Sequence, residues 1–182
     1  MSKIICVDVD DVCAELVSHW LSLYNEEYDD NLSPEDILDW QVSSFVKPEC
    51  GKDIFKYIRN ENIYDGISPV RGALKYTKLL DKKGYRLIYV TFRGGFSLSG
   101  RKYEWLNRNG FKVDEKDYIE TNDKSLIHAD YMIDDNWENV TAFRGHGVLY
   151  TRPWNKKYNS VYRVNTWKEF YNHIIEMEKE NG

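Results

Sequence analysis

Short, almost wholly apolar runs recur along the chain, and each ends in polar residues. Ile4-Ile5-Cys6-Val7, Arg86-Leu87-Ile88-Tyr89-Val90, Tyr131-Met132-Ile133 and the stretch from Gly147 to Tyr150 have the length and continuity of strands buried on both faces, as in a parallel sheet. Tyr118-Ile119-Glu120 is a shorter strand. Between these runs the spacing turns helical. Val12, Leu16, Trp20, Leu21 and Leu23 predict an amphipathic helix over Val12 to Tyr28. Ser33-Pro34-Glu35-Asp36 starts a helix to about Trp40, with a capping residue, a first-turn proline and acids after it. A looser stretch, Gln41 to Gly51, follows, and Asp53 to Arg59 predicts a further helix. Ser68-Pro69-Val70-Arg71-Gly72 turns into a helix through Leu80, closed by Gly84. Ser99 to Asn109, Asn136 to Phe143, and Trp167 to about Glu180 capped by Thr166 complete the pattern. Strands alternating with helices at this interval predict an α/β fold with a Rossmann-like, doubly wound parallel sheet.

The segment after the first strand departs from this alternation. Residues 14–66 predict a small helical cap, rich in aromatics, inserted into a core formed by 1–13 and 67–182. Trp40, Phe45 and Tyr64 are candidates to stack on a base from that insertion, with core packing the alternative for each.

Composition narrows the partners. The chain has 182 residues, 42% of them hydrophobic, and a net charge of -5. That is enough for one well-buried domain with a modest insertion. The negative charge argues against a general nucleic-acid or anionic-membrane binder, so no stable nucleic-acid complex is expected. It leaves room for a small anionic ligand, which a metal and a few cations can hold. No apolar run is long enough to span a bilayer. Cys6, Cys13 and Cys50 lack metal-type spacing, and an odd count without a signal peptide fits a reducing, cytoplasmic setting. His19, His128, His146 and His173 are scattered without ligand spacing.

The candidate chemistry gathers where the strands end. Asp8 and Asp10 stand two residues apart, and in extended backbone both side chains point the same way. Two such carboxylates require a cation or a shared proton, unless the stretch is only a polar loop. The second long strand ends in Thr91-Phe92-Arg93-Gly94-Gly95, and the fourth in Asp134-Asp135, with Lys124 preceding it. Carboxyl ends of parallel strands are where such sheets place their ligands. Each residue has a bland rival: Thr91 as a strand end or cap, Lys124 as a solvated lysine, Asp134-Asp135 as a helix N-cap region. The conjunction at successive strand ends favours one phosphate-and-metal site.

This order of motifs resembles the haloacid dehalogenase superfamily of phosphohydrolases: Asp8-Val9-Asp10-Asp11-Val12, then Thr91, then Lys124, then Asp134-Asp135. Within it the chain is most similar to the 5'(3')-deoxyribonucleotidases. That similarity rests on the helical insertion after the first motif, on Thr121-Asn122-Asp123-Lys124, and on Arg152-Pro153-Trp154-Asn155. Two positions depart from the pattern: Asp11 stands where many members carry glycine, and Asn122 where mammalian deoxyribonucleotidases carry an arginine.

The resemblance implies a Mg2+-dependent phosphomonoesterase acting on nucleoside monophosphates, deoxy ones above all. Asp8 would be the nucleophile that forms an aspartyl-phosphate, and Asp10 the general acid and base. Asp8, the Asp10 carbonyl and Asp134 would hold magnesium, with Asp135 supporting them or orienting Lys124. Lys124, the Thr91 hydroxyl and the backbone near Phe92 would bind the phosphoryl oxygens. Arg93 would contact base or sugar, or stand exposed. The rivals are a related phosphatase of a sugar phosphate or polynucleotide 3'-phosphate, and a non-catalytic phosphate-binding protein on the same fold. A homodimer is left open, as is the role of Asp11.

Overall fold

The computed structural model describes residues 2–94, 98–159 and 161–180. Gly95 of the predicted glycine-rich turn and Ser160 of the loop after the fifth strand lie outside them. The apolar runs form strands β1 (Ile4–Val7), β2 (Arg86–Thr91), β3 (Tyr118–Glu120), β4 (Tyr131–Asp134) and β5 (His146–Tyr150). A sixth strand, β6 (Tyr162–Val164), was not expected. Its Tyr-Arg-Val carries no apolar run, and an edge strand of three residues is set by pairing with Val148 to Tyr150, not by its own pattern.

All the strands pair in parallel, in the order β3-β2-β1-β4-β5-β6. The chain winds outward from β1 in both directions, so the order reverses at the β1–β4 junction, where doubly wound sheets open a crevice for ligands. Asp8 extends that junction, its backbone N–H donating to the Ile133 carbonyl at 3.0 Å.

Helices α1 (Leu16–Tyr28), α2 (Phe55–Ile58), α3 (Ala73–Lys82), α4 (Arg101–Arg108), α5 (Trp137–Ala142) and α6 (Trp167–Glu180) fill the rest. Thr166 caps α6 as expected, accepting from the Glu169 N–H at 3.1 Å. α1 begins four residues later than its periodicity predicts. Asp11 takes a left-handed φ of 54°, and Ala14 makes single bridges to Asp10 and Pro69. The backbone turns there before it can coil. The helices predicted from Ser33 to about Trp40 and from Asp53 to Arg59 shrink to the 3-10 turns Pro34–Asp36 and Gly51–Ile54 and a four-residue α2, and a further 3-10 turn, Val42–Ser44, forms in the looser stretch between them. Ser33 and Asp36 still form the capping box read from the sequence, but Ile37 leaves in extended conformation. Helices this short depend on packing, and propensity alone cannot extend them.

The hydrophobic residues divide into separate clusters. The largest joins β1 and Val9 to Ala14 with α3, α4 and α6. A second is made by the helical segment: Trp20, Leu21, Tyr24, Ile37, Ile54, Tyr57 and their neighbours, with Trp154 from beyond β5. Ile63 and Tyr64, inside the predicted insertion by sequence position, pack with the first cluster. All three cysteines are buried and free.

Candidate active site

β1, β2 and β4 end side by side, so their last residues face one another. Asp8, Thr91 and Asp134 are all buried there. Lys124 sits in a 3-10 turn held by Asp123, whose side chain accepts from the Ser125 N–H. From that turn its ammonium reaches in and donates to Asp8 Oδ1 at 2.6 Å and to Asp134 Oδ2 at 2.7 Å. Only 5% of the side chain is exposed. The lysine neutralises two acids that would otherwise repel across the sheet.

Asp134 is anchored further by its neighbours. Its Oδ1 accepts from the Asn136 N–H at 2.8 Å and its Oδ2 from Asn139 Nδ2 at 3.1 Å. Asp135 does not touch Lys124. It accepts from the indole N–H of Trp154 at 2.7 Å, and its carbonyl accepts from Asn155 Nδ2 at 2.7 Å. The Arg152-Pro153-Trp154-Asn155 loop is therefore the brace of Asp135.

Burial dominates the electrostatics. It pushes the Asp8 carboxyl up to about 7; the Lys124 ammonium opposes the rise, and Asp134 and Asp10 add to it. Asp135 is raised well above the ordinary carboxylate range by burial, then by Asp8 and Asp134. Burial lowers Lys124, but the two carboxylates outweigh it and hold the amine protonated. Asp8, Asp134 and Asp135 each offer an oxygen within 4.8 Å of the others. Buried, crowded, hard oxygen donors fit a small divalent cation such as magnesium.

These groups form the floor of a cavity of about 420 Å3. Trp20, Trp40, Val42, Phe55 and Ile58 line it from the helical segment, and Phe92, Thr121, Asn122 and Asn139 from the sheet side. Trp20 and Phe55 pack against each other with ring centroids 5.7 Å apart. Trp40 leans on Trp154 at 5.3 Å.

Not every predicted residue reaches the cavity. Trp40 and Phe92 line it, whereas Phe45 packs within the helical cluster and Arg93 is exposed. Tyr64 is buried beneath Asp10, its hydroxyl donating to Asp10 Oδ1 at 2.6 Å, because the chain returning to the core passes under the Asp10 turn. Asp11, the acid without a role in the sequence, also lines the cavity, but its carboxylate is engaged by the backbone. It accepts from the Val17 N–H at 3.1 Å, while its carbonyl accepts from Arg152 Nε at 2.6 Å. Asp11 thus caps the start of α1. Its φ of 54° is a conformation that favours glycine.

Lys102 was not among the residues read from the sequence as candidates. From the first turn of α4 it donates to Asp10 Oδ2 at 2.5 Å, Phe92 O at 2.8 Å and Thr91 Oγ1 at 2.9 Å. The available signal was its location: Arg101 and Lys102 stand at a helix N-terminus, the end where the helix dipole disfavours cations.

Comparison with known proteins gives the chain its family and its fold relatives. A model of the family described as 5' nucleotidase, deoxy (pyrimidine), cytosolic type C protein matches residues 2–180. A 5'(3')-deoxyribonucleotidase of Clostridium acetobutylicum is 30% identical over 165 residues, covering 90% of this chain and 89% of that protein. The 5'(3')-deoxyribonucleotidase of Bacillus subtilis is 28% identical over 176 residues, covering 96% and 100%. Among solved structures, the magnesium-bound HAD-hydrolase-type protein YfnB of Bacillus subtilis aligns with a TM-score of 0.63 at 15% identity, covering 95% of this chain and 98% of that one. A haloacid dehalogenase-like family protein of Streptococcus pneumoniae aligns with a TM-score of 0.63 at 11% identity and the same coverage. The chain belongs to the cytosolic type C 5' nucleotidase family, phosphoric monoester hydrolases on a haloacid dehalogenase-like fold.

Proposed function

We propose that the protein is a Mg2+-dependent 5'(3')-deoxyribonucleotidase, working in the cytoplasm through an aspartyl-phosphate on Asp8. One observation carries the reading. The buried Asp8–Lys124–Asp134 cluster forms the floor of a cavity whose far side is apolar and aromatic. A nucleoside monophosphate has these two ends, an anionic phosphoryl group and a flat base. The helical segment over residues 14–66 serves as the cap that brings the aromatic side. The names of the relatives from Clostridium acetobutylicum and Bacillus subtilis support the same substrate class.

Asp8 attacks phosphorus through one carboxylate oxygen, so it must be ionised, and with its carboxyl raised to about 7 it is so only in part at neutral pH. Asp8, Asp134 and the Asp10 carbonyl, with Asp135 beside them, would hold a magnesium ion, whose charge would favour the ionised form of Asp8 and polarise a bound phosphoryl group. Lys124 and the Thr91 hydroxyl meet the phosphoryl oxygens. Losing one such donor costs roughly 3 kcal/mol of transition-state stabilisation. Asp10 gives its proton to the leaving alkoxide and takes one from the water that then attacks phosphorus. Trp20, Trp40 and Phe55 stack on or enclose the base, and the net charge of -5 disfavours a polynucleotide.

Phosphate release from a panel of 5'- and 3'-deoxynucleotides, ribonucleotides and sugar phosphates, with and without Mg2+, tests the proposal. Turnover of deoxynucleotides that depends on the ion is expected. No turnover of any compound refutes the activity, and a preference for sugar phosphates refutes the substrate class.

A further inference from the structure

Asp10 is held from behind at both oxygens. Oδ1 accepts the Tyr64 hydroxyl at 2.6 Å and Oδ2 the Lys102 ammonium at 2.5 Å. Asp10 lines the cavity, whereas neither of its two partners does, and both are buried, at 4% exposure each. Lys102 is costly where it stands. Burying an ammonium is unfavourable, and the first turn of a helix adds a repulsive dipole. A lysine kept there has its three hydrogens fully used, on Asp10 Oδ2, Thr91 Oγ1 and Phe92 O. Tyr64 is fixed as firmly. One face of α4 holds the segment that carries it: Arg108 Nη2 donates to Tyr64 O at 2.7 Å and Trp105 Nε1 to Ile67 O at 3.0 Å.

We propose that Lys102 and Tyr64 are positioning residues that fix the Asp10 carboxyl as acid and base and meet the charge it develops. The inference rests on the role given to Asp10 above. As the bond from Asp8 oxygen to phosphorus forms, the bond from phosphorus to the ester oxygen breaks. The proton on Asp10 passes to that oxygen, which leaves as an alcohol. Asp10 becomes a carboxylate, and the donors already aimed at both oxygens stabilise it without rearrangement. A carboxylate oxygen has lone pairs to spare, so either oxygen can accept from behind and still face the cavity. Neither Lys102 nor Tyr64 lines the cavity; Tyr64 acts through Asp10, and Lys102 acts through Asp10 while also holding the Thr91 hydroxyl, a contact whose loss would weaken both substrates alike.

The test uses the leaving group. A nucleoside alkoxide needs a proton to depart, whereas p-nitrophenolate does not. The value of kcat/KM reports events up to the first irreversible step, so it isolates departure of the leaving group from later hydrolysis. For Lys102→Met and for Tyr64→Phe, kcat/KM on a deoxynucleotide should fall at least tenfold further than on p-nitrophenyl phosphate. The expected loss on the nucleotide is on the order of a hundredfold for Lys102→Met. Tyr64→Phe removes one hydroxyl and keeps the ring, so it carries the test if Lys102→Met does not fold. Equal losses on both substrates, or no loss, overturn the inference. Asp10→Asn is the reference. If it too shows equal losses, the role of Asp10 itself fails; if it shows the difference and the other two do not, only the positioning role fails.

Discussion

Lys124→Met isolates the charge that holds the floor of the site together. The substitution keeps most of the side-chain volume and removes an ammonium that lies 2.6 Å from Asp8 and 2.7 Å from Asp134. Both acids are buried, so two carboxylates are left facing each other without a counter-charge. Breaking a buried ion pair from one side costs about 3–5 kcal/mol. In a chain of 182 residues, each kcal/mol lowers Tm by roughly 2–4 °C, so a fall of about 6–20 °C is expected. The assay is thermal unfolding followed by circular dichroism in a chelator at about pH 8, repeated with rising Mg2+ and at about pH 5. Magnesium should narrow the deficit, because it also sets positive charge between Asp8 and Asp134. Acid should narrow it too, because Asp8, raised to about 7 beside Lys124 and further without it, takes up a proton and the repulsion disappears. A Tm within about 2 °C of the parent in chelator, or a deficit unmoved by both magnesium and acid, would refute the reasoning.

Three further outcomes follow from single features. A folded Asp8 pKa of about 7 against an unfolded value near 3.9 means the folded state holds the extra proton between them. Magnesium must displace it, so the Kd from calorimetry should tighten as pH rises to about 7 and level off above, with proton release detectable below; a Kd flat from pH 5 to 8 contradicts this. Asp11→Gly keeps the left-handed backbone and loses the cap on Val17, about 1 kcal/mol, together with the attraction between its carboxylate and Arg152. Asp11→Ala adds about 1–2 kcal/mol of backbone strain, so urea unfolding should rank it clearly below Asp11→Gly. Trp40→Ala removes an aromatic wall of the cavity and should raise KM for deoxynucleotides about tenfold or more; an unchanged KM would place the base elsewhere.

How far the chain could be read varies with what fixes each feature. Asp8, Thr91 and Asp134 were legible because each follows an unbroken apolar run, and a parallel sheet brings such runs into register whatever lies between. The capping box at Ser33 was legible too, being local. The short helices of residues 33–58 were overcalled because their ends are set by packing around Trp20 and Tyr24. Lys102 escaped notice because a lysine on an amphipathic helix ordinarily faces solvent. Its burial follows from Asp10, 92 residues earlier, which no local pattern records. Tyr64 looked like an aromatic of the insertion and is instead a hydrogen-bond donor to Asp10. Asp11 had no role in the sequence reading. Its φ shows why glycine suits that position and why an aspartate there caps a helix instead.

The central claim is that Asp8 becomes phosphorylated during turnover. Acid quenching of the protein with a deoxynucleotide and Mg2+, followed by mass spectrometry of the peptide spanning β1, reads it directly. The predicted result is one phosphoryl group on Asp8, removed by hydroxylamine and absent from Asp8→Asn, which should also release no phosphate. Full turnover by Asp8→Asn, or a phosphoryl group on any other residue, would contradict the account.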